Sequence, residues 1–272
     1  MKAYARNRQQ FSHSNLMSVP KRIFIVPYRD REAHLKGFRE RMTEYLGGDM
    51  VNNHICVVHQ CDKRPFNRGA MKNIGFLAMK AKYHTHYKDI TFIFHDVDSW
   101  PRENGMIPYE TTDGVVAHYY GYKFALGGMF AIKGKDFEKT GGFPNFWGWG
   151  MEDNVMNRRC LDAGLTIDRS CFFLTSDKRI ARPFDGYKRT MAKQEIVDYT
   201  KSRFDNMWEI RGISVWENDE MLNVLAFEVA KDWRQLEYMQ RDIREGTRVA
   251  VPKTKPRGGS GQRGRTWEMN LN

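Results

Sequence analysis

Asp96-Val97-Asp98 is the triplet in this chain with the clearest chemical use. It follows the apolar run Ile90-Thr91-Phe92-Ile93-Phe94 and His95, so it stands at the end of an expected strand. Side chains alternate along a strand with period two, which turns both acids to one face. Two hard carboxylates in that position suit a divalent cation bridging to phosphate oxygens. An Asp-X-Asp triplet alone is also the pattern of a solvated turn or a cap, and only the strand before it separates the two readings. A second constellation runs from Gly141-Gly142-Phe143-Pro144-Asn145 through Phe146-Trp147-Gly148-Trp149-Gly150-Met151 to Glu152-Asp153. Glycines let a loop approach a ligand closely, and tryptophans offer flat apolar faces to a sugar ring. Acids at a helix start are favoured by the free amides and the dipole whatever their function. That explains Glu152 and Asp153 but not the dense Trp–Gly run before them.

The elements that must position these residues are legible in the first half of the chain. Lys21 to Pro27 reads as a buried strand stopped by Pro27. Leu35, Phe38, Met42 and Tyr45 recur at helical spacing between Arg31 and Leu46, and Gly47-Gly48 ends that helix. Ile55–His59 reads as a second strand, and 68–81 as a helix with Met71, Ile74, Leu77, Ala78 and Ala81 on one face. The run at 90–94 is the third strand. Strand, helix, strand, helix, strand with short connections predicts an α/β, doubly wound sheet whose ligands sit beyond the carboxyl ends of the strands. Further strands are expected near 114–118 and 127–132, and a helix from Glu152 to Ala163 closed by Gly164. Beyond Lys178 the pattern fades.

Composition bounds the rest. The 272 residues are 41% hydrophobic and 28% charged, which excludes a disordered or collagen-like chain. No apolar run is long enough for a bilayer span, and residues 1–20 lack the apolar core of a secretory signal. Four cysteines without paired zinc spacing suggest reduced thiols in a cytoplasmic compartment. The net charge of +11 looks like a nucleic-acid signal until it is placed. Residues 1–22 and 248–272 each carry a net +5, which leaves +1 for 23–247. The expected domains are therefore a basic segment at 1–21, one catalytic-size domain at 22–247 and a basic, Gly-rich, disordered tail at 248–272. Such ends suit weak contact with an anionic surface; specific nucleic-acid binding is not expected.

In order along the chain, Phe24-Ile25-Val26-Pro27-Tyr28-Arg29-Asp30-Arg31, Phe66-Asn67-Arg68, His95-Asp96-Val97-Asp98, Gly127-Gly128 and Trp147-Gly148-Trp149-Gly150-Met151-Glu152-Asp153 resemble the beta-1,4-galactosyltransferase family. The resemblance spans about residues 22–180. It implies a GT-A fold (Rossmann-like, with a mixed central sheet) and an inverting transfer of galactose, GalNAc or GlcNAc from a UDP-sugar to a hydroxyl of an acceptor glycan. It also implies Mn2+ or another divalent cation. On this basis Pro27, Tyr28, Arg29, Arg31, Phe66, Arg68, Asp96 with Val97, and Trp149 match donor-binding positions, and Asp98 matches the metal ligand. Trp149, Gly150 and Asn154 match the acceptor side, and Glu152 and Asp153 match the catalytic acids, with Asp153 as the base. Arginine forks suit phosphates, and a base opposite the leaving group suits direct displacement.

The departures are specific. The family completes its metal site with a Met-x-x-His arrangement, and here Cys171 and Leu174 fall at those positions, with no histidine after His118. Asn154 replaces the acid after the base. Ala125 falls where the family's donor-selective Tyr stands, which opens the pocket to a bulkier 2-substituent. His34, His54, His59, His84, His86 and His118 are expected in the surface or core rather than as ligands. The alternative is a non-catalytic glycan- or nucleic-acid-binding protein on a decayed transferase fold. A retaining GT-A transferase is disfavoured by the form of the Trp–Gly run.

Overall fold

The computed structural model describes residues 18–202, 204–218 and 220–244; both basic ends lie outside or at the edge of these residues. The first half alternates as expected, with β1 (Arg22–Tyr28), α1 (Glu32–Leu46), β2 (Asn53–Gln60), α2 (Arg68–Lys82) and β3 (Thr91–His95). β4 (Trp100–Pro101), β5 (Val115–Gly121), β6 (Met129–Lys133), α3 (Gly134–Thr140) and α4 (Glu152–Asp162) follow. After them come β7 (Thr166–Asp168), β8 (Phe173–Leu174), β9 (Ile180–Ala181), β10 (Lys188–Ala192) and α5 (Lys193–Thr200). The described chain ends with β11 (Arg211–Glu217), β12 (Leu222–Glu228) and β13 (Tyr238–Asp242).

β1 is the middle of the parallel core, with β2 on one side and β3 on the other. Its alternating side chains explain why it reads as a continuous apolar run. Phe24 and Val26 pack with Leu35, Phe38 and Met42 of α1, whereas Ile23 and Ile25 pack with Met71 and Ile74 of α2. Both faces are therefore covered. α2 lies so close to the sheet that a Cβ on Gly75 would stand 2.6 Å from Val58 Cγ2. The helix is buried around most of its circumference from Gly69 to Phe76, while Ala81, expected on the inner face, is exposed.

Two boundaries differ from expectation for identifiable reasons. β1 continues through Pro27 to Tyr28, because its pairing with β3 ends at Ile25↔Phe94 and leaves one edge of the strand free where Pro lacks an N–H. Gly47-Gly48 does not lead straight into a loop but opens a 3-10 turn over Gly47–Asn52. The whole sheet is mixed, in the order β11-β12-β2-β1-β3-β6-β5-β7, with β8 also paired to β5. β6 runs antiparallel to β3, and β12 adds to the far edge parallel to β2. The carboxyl ends of β1, β2 and β3 gather the segments Arg29–Arg31, Phe66–Arg68 and Asp96–Asp98 at one edge of the sheet.

Candidate active site

A cavity of about 350 Å³ opens at that edge. Pro27, Arg29, Arg31, Phe66, Arg68, Asp96, Val97, Asp98, Ala125, Trp149, Gly150, Glu152, Asp153 and Asn154 all line it. Of the residues expected to contact a donor, Tyr28 is the exception: its ring packs edge-on against His59, with centroids 5.2 Å apart, and it does not line the cavity. The aspartate triplet also departs from the strand argument. β3 ends at His95, so Asp96-Val97-Asp98 is a turn rather than a strand end. The carboxylates reach the cavity through separate partners instead of by alternation.

Arg68, the first residue of α2, holds one group of acids. Asn67 caps the helix by accepting from the Ala70 amide, which fixes where Arg68 leaves the backbone. Its Nε donates to Asp96 Oδ1 at 3.0 Å, and its Nη1 donates to Glu152 Oε1 at 2.8 Å and to Asp153 Oδ1 at 2.7 Å. One guanidinium thus ties the turn after β3 to the first turn of α4. Burial alone would weaken its charge, but Asp153, Asp96 and Glu152 outweigh that and hold its pKa well above the usual value. For Asp96, burial works upward, yet Arg68 and Lys72 prevail and lower its pKa. Glu152 is different: burial and then the neighbouring Asp153 push its pKa up, and its Oε2 has no hydrogen-bond partner among the described residues.

Asp98 belongs to a second group. Its Oδ2 accepts from Arg31 Nη1 at 2.8 Å, and the same nitrogen lies 2.8 Å from Asp185 Oδ2. Burial, followed by the charge of Asp96, raises the Asp98 pKa against the pull of Arg31. Arg189 pairs with the other oxygen of Asp185 at 2.6 Å, and Arg182 lines the same wall. Cys171 and Leu174 do not join them. The Cys171 thiol donates to the Met106 carbonyl, Leu174 is half exposed, and neither lines the cavity. Asp98 and Asp185 are two hard carboxylates that converge on Arg31, and among the described residues no group of three or more His, Cys, Asp or Glu side chains is gathered as a metal site. The pair fits a divalent cation completed by phosphate oxygens and water.

The Gly/Trp segment supplies the remaining wall. Trp147 turns inward, stacking on Phe227 with centroids 5.6 Å apart and donating from Nε1 to the Lys231 carbonyl. Trp149 is the tryptophan that lines the cavity, held by its amide on Thr190 O at 2.7 Å. Gly150 has φ 112° and Met151 φ 69°, so the chain turns through left-handed backbone directly before α4. Asp153 then faces Gly127: a Cβ on that glycine would stand 2.1 Å from Asp153 Oδ2. Ala125 is buried at the cavity wall, while Phe124 stacks on Tyr122 beside it, with centroids 5.4 Å apart.

Sequence reasoning missed Lys72, Arg182, Asp185 and Arg189. The last three come from a segment with no apolar period, which gave nothing to place them. Lys72 left a trace, as a charge one turn beyond Arg68 within a run that is otherwise apolar.

The fold is that of the GT-A glycosyltransferases. The catalytic domain of Drosophila beta-1,4-galactosyltransferase 7, solved as a mutant with manganese, UDP-Gal and xylobiose, superposes with a TM-score of 0.59 at 21% identity, covering 80% of this chain and 97% of that one. Residues 3–110 match the N-terminal region of glycosyl transferase group 7, and residues 115–183 match the N-terminal domain of galactosyltransferase. A xylosylprotein 4-beta-galactosyltransferase of Caenorhabditis elegans is 32% identical over 205 residues, covering 71% of this chain and 67% of that protein. The human beta-1,4-galactosyltransferase 7 is 29% identical over 188 residues, covering 66% and 56%. The chain belongs to the beta-1,4-galactosyltransferase family. It spans two thirds of the worm relative and little more than half of the human one. Among the described residues, no helix is long and apolar enough to cross a membrane.

Proposed function

We propose that the chain is an inverting transferase that moves a hexose or N-acetylhexosamine from a UDP-sugar to a hydroxyl of an acceptor glycan. The observation that carries this reading is that Asp98 and Asp153 line one cavity but are held by different cations, Arg31 and Arg68. A carboxylate that helps a diphosphate leave and one that takes a proton need such separate settings. Arg29, Arg31, Arg182 and Arg189 are the cations available to the diphosphate. Asp153 takes the proton of the attacking hydroxyl as the new glycosidic bond forms. The bond from the anomeric carbon to UDP breaks on the opposite face, and one displacement inverts the centre. Trp149 offers its face to a sugar ring. A divalent cation held by Asp98 and Asp185 would supply Lewis-acid stabilisation of the leaving diphosphate. The fly structure was solved with manganese and UDP-Gal, which supports a divalent cation in the reaction.

Ala125 bears on the donor. It lines the cavity with a single methyl group; of the two residues that could fill the space, Met129 is fully buried in the core, and Phe124 lines the cavity stacked on Tyr122. The pocket should therefore use UDP-GalNAc or UDP-GlcNAc at least as well as UDP-galactose, and Ala125→Tyr should shift the ranking toward galactose by about 10–200-fold, the range for discrimination by size. A reducing, cytoplasmic setting is part of the proposal, which expects all four cysteines, the buried Cys56 and Cys160 included, to titrate as thiols in the unfolded protein.

The test is to incubate the protein with each UDP-sugar, manganese and a panel of terminal GlcNAc, glucose and xylose acceptors, and to read products by mass spectrometry, with and without EDTA. A new glycoside with inverted anomeric configuration is the expected result. UDP binding with no product from any pair would return the non-catalytic reading.

A further inference from the structure

Lys72 is, among the described residues, the most deeply buried charge that the mechanism above leaves idle. It lies in the second turn of α2 and is 1% exposed. Its Nζ donates to Asp153 Oδ1 at 3.2 Å and sits 4.4 Å from the centroid of the Phe143 ring. Arg68 Nη1 reaches that same oxygen at 2.7 Å. Both cations thus converge on Oδ1, while Oδ2 faces Gly127 at the cavity wall and has no hydrogen-bond partner among the described residues.

We propose that Lys72 is a positioning residue for transfer: with Arg68 it pins Asp153 by Oδ1, so that Oδ2 alone is presented to the acceptor hydroxyl. Arg68 by itself cannot do this, because it is shared among Asp96, Glu152 and Asp153. The second cation gives Asp153 a partner of its own on the side away from the substrate. Burial and Arg68 lower the Lys72 pKa, against the pull of Asp153, Asp96 and Glu152. The other titratable group facing Asp153 is His118 of β5, bonded to Arg169 and held near pKa 4, so it stays neutral over the working range.

This inference rests on Asp153 being the base, and the experiment separates the two. Lys72→Met keeps the length of the side chain against Phe143 and removes the charge. The expected result is UDP affinity and acceptor KM within about twofold of wild type, with kcat lowered about 10- to 100-fold. Lys72→Arg, which keeps a cation beside Oδ1, should lose less kcat than Lys72→Met. A purely structural lysine would leave kcat of the folded Lys72→Met protein unchanged, and an unchanged kcat overturns the proposal. A thermal-melting cycle supplies a readout without turnover. Asp153→Asn should lower Tm by leaving Lys72 buried without its partner, and adding Lys72→Met should recover it. Additive losses, or failure of that uncharged double variant to fold, would show that Lys72 serves the core independently and would overturn the inference. A wild type that transfers no sugar would sink the proposed function while the melting cycle still reports the coupling.

Discussion

A carboxylate that takes a proton from a sugar hydroxyl needs one oxygen held and the other left free. Asp153 has that division, and Gly127 maintains it, because a side chain there would occupy the space of Oδ2. Asp153→Asn should keep UDP binding and lower transfer by at least ~100-fold, the usual scale for a positioned general base. Calorimetry with UDP and a transfer assay decide this, and near-normal turnover would remove Asp153 from the mechanism. The cation site makes a separate claim. Asp185→Asn should weaken Mn2+ in the presence of UDP by at least ~10-fold, the cost usual even for outer-sphere partners of a metal. Electron paramagnetic resonance of manganese reads it directly, and an unchanged affinity would leave Asp98 as the only protein ligand. Asp98, Asp153 and Arg68 were legible because each follows a recognisable strand or opens a helix. Asp185 was not: it lines the cavity through contacts with Arg31 and Arg189 that are made by folding and recorded in no local pattern.

The Gly/Trp segment shows what an element adds beyond its residues. Trp147 is a strut and Trp149 a wall, and the sequence could not tell them apart, since the choice depends on Phe227 and Thr190 from distant strands. The strut is fixed by α5, where Glu195 Oε1 accepts the Trp147 amide at 3.2 Å and Lys231 lies 4.0 Å from the other oxygen. Burial pushes the Glu195 pKa up to about 7, with Lys231 pulling it back. Folding therefore favours the protonated acid. The stability this group contributes is present below the ordinary glutamate pKa and is lost as pH rises toward 7. Glu195→Gln, which still accepts the Trp147 amide, should flatten that part of the curve and gain up to about 1.4 kcal/mol per pH unit of the interval relative to wild type. Melting both proteins at pH 5, 6, 7 and 8 isolates the difference from the buried histidines, which titrate in both. Parallel curves would mean that Glu195 is ionised in the fold at a normal cost. The early elements were readable because β1, β2 and β3 are covered on both faces. β11 is exposed at almost every position, so no hydrophobic period marks it.

At the scale of the molecule, residues 1–22 and 248–272 hold nearly all of the net +11, and the described residues that line the cavity fall between 27 and 243. A chain trimmed to residues 20–247 should keep turnover on soluble acceptors and lose any salt-sensitive attachment to anionic vesicles. Loss of turnover in a trimmed protein with unchanged melting would show that an end completes the site. The same scale gives the pairing of β12 with β2 a meaning in time. Leu222 lies beside Val58 in the finished sheet, yet a ribosome adding about 5–20 residues per second releases it roughly 8 to 33 s later. For that interval the nascent β2 has an open edge with unpaired amides and carbonyls, which invites another chain. Expression yield should therefore respond to translation speed and to chaperones that shield strand edges, even though β1, β2 and β3 are synthesised first.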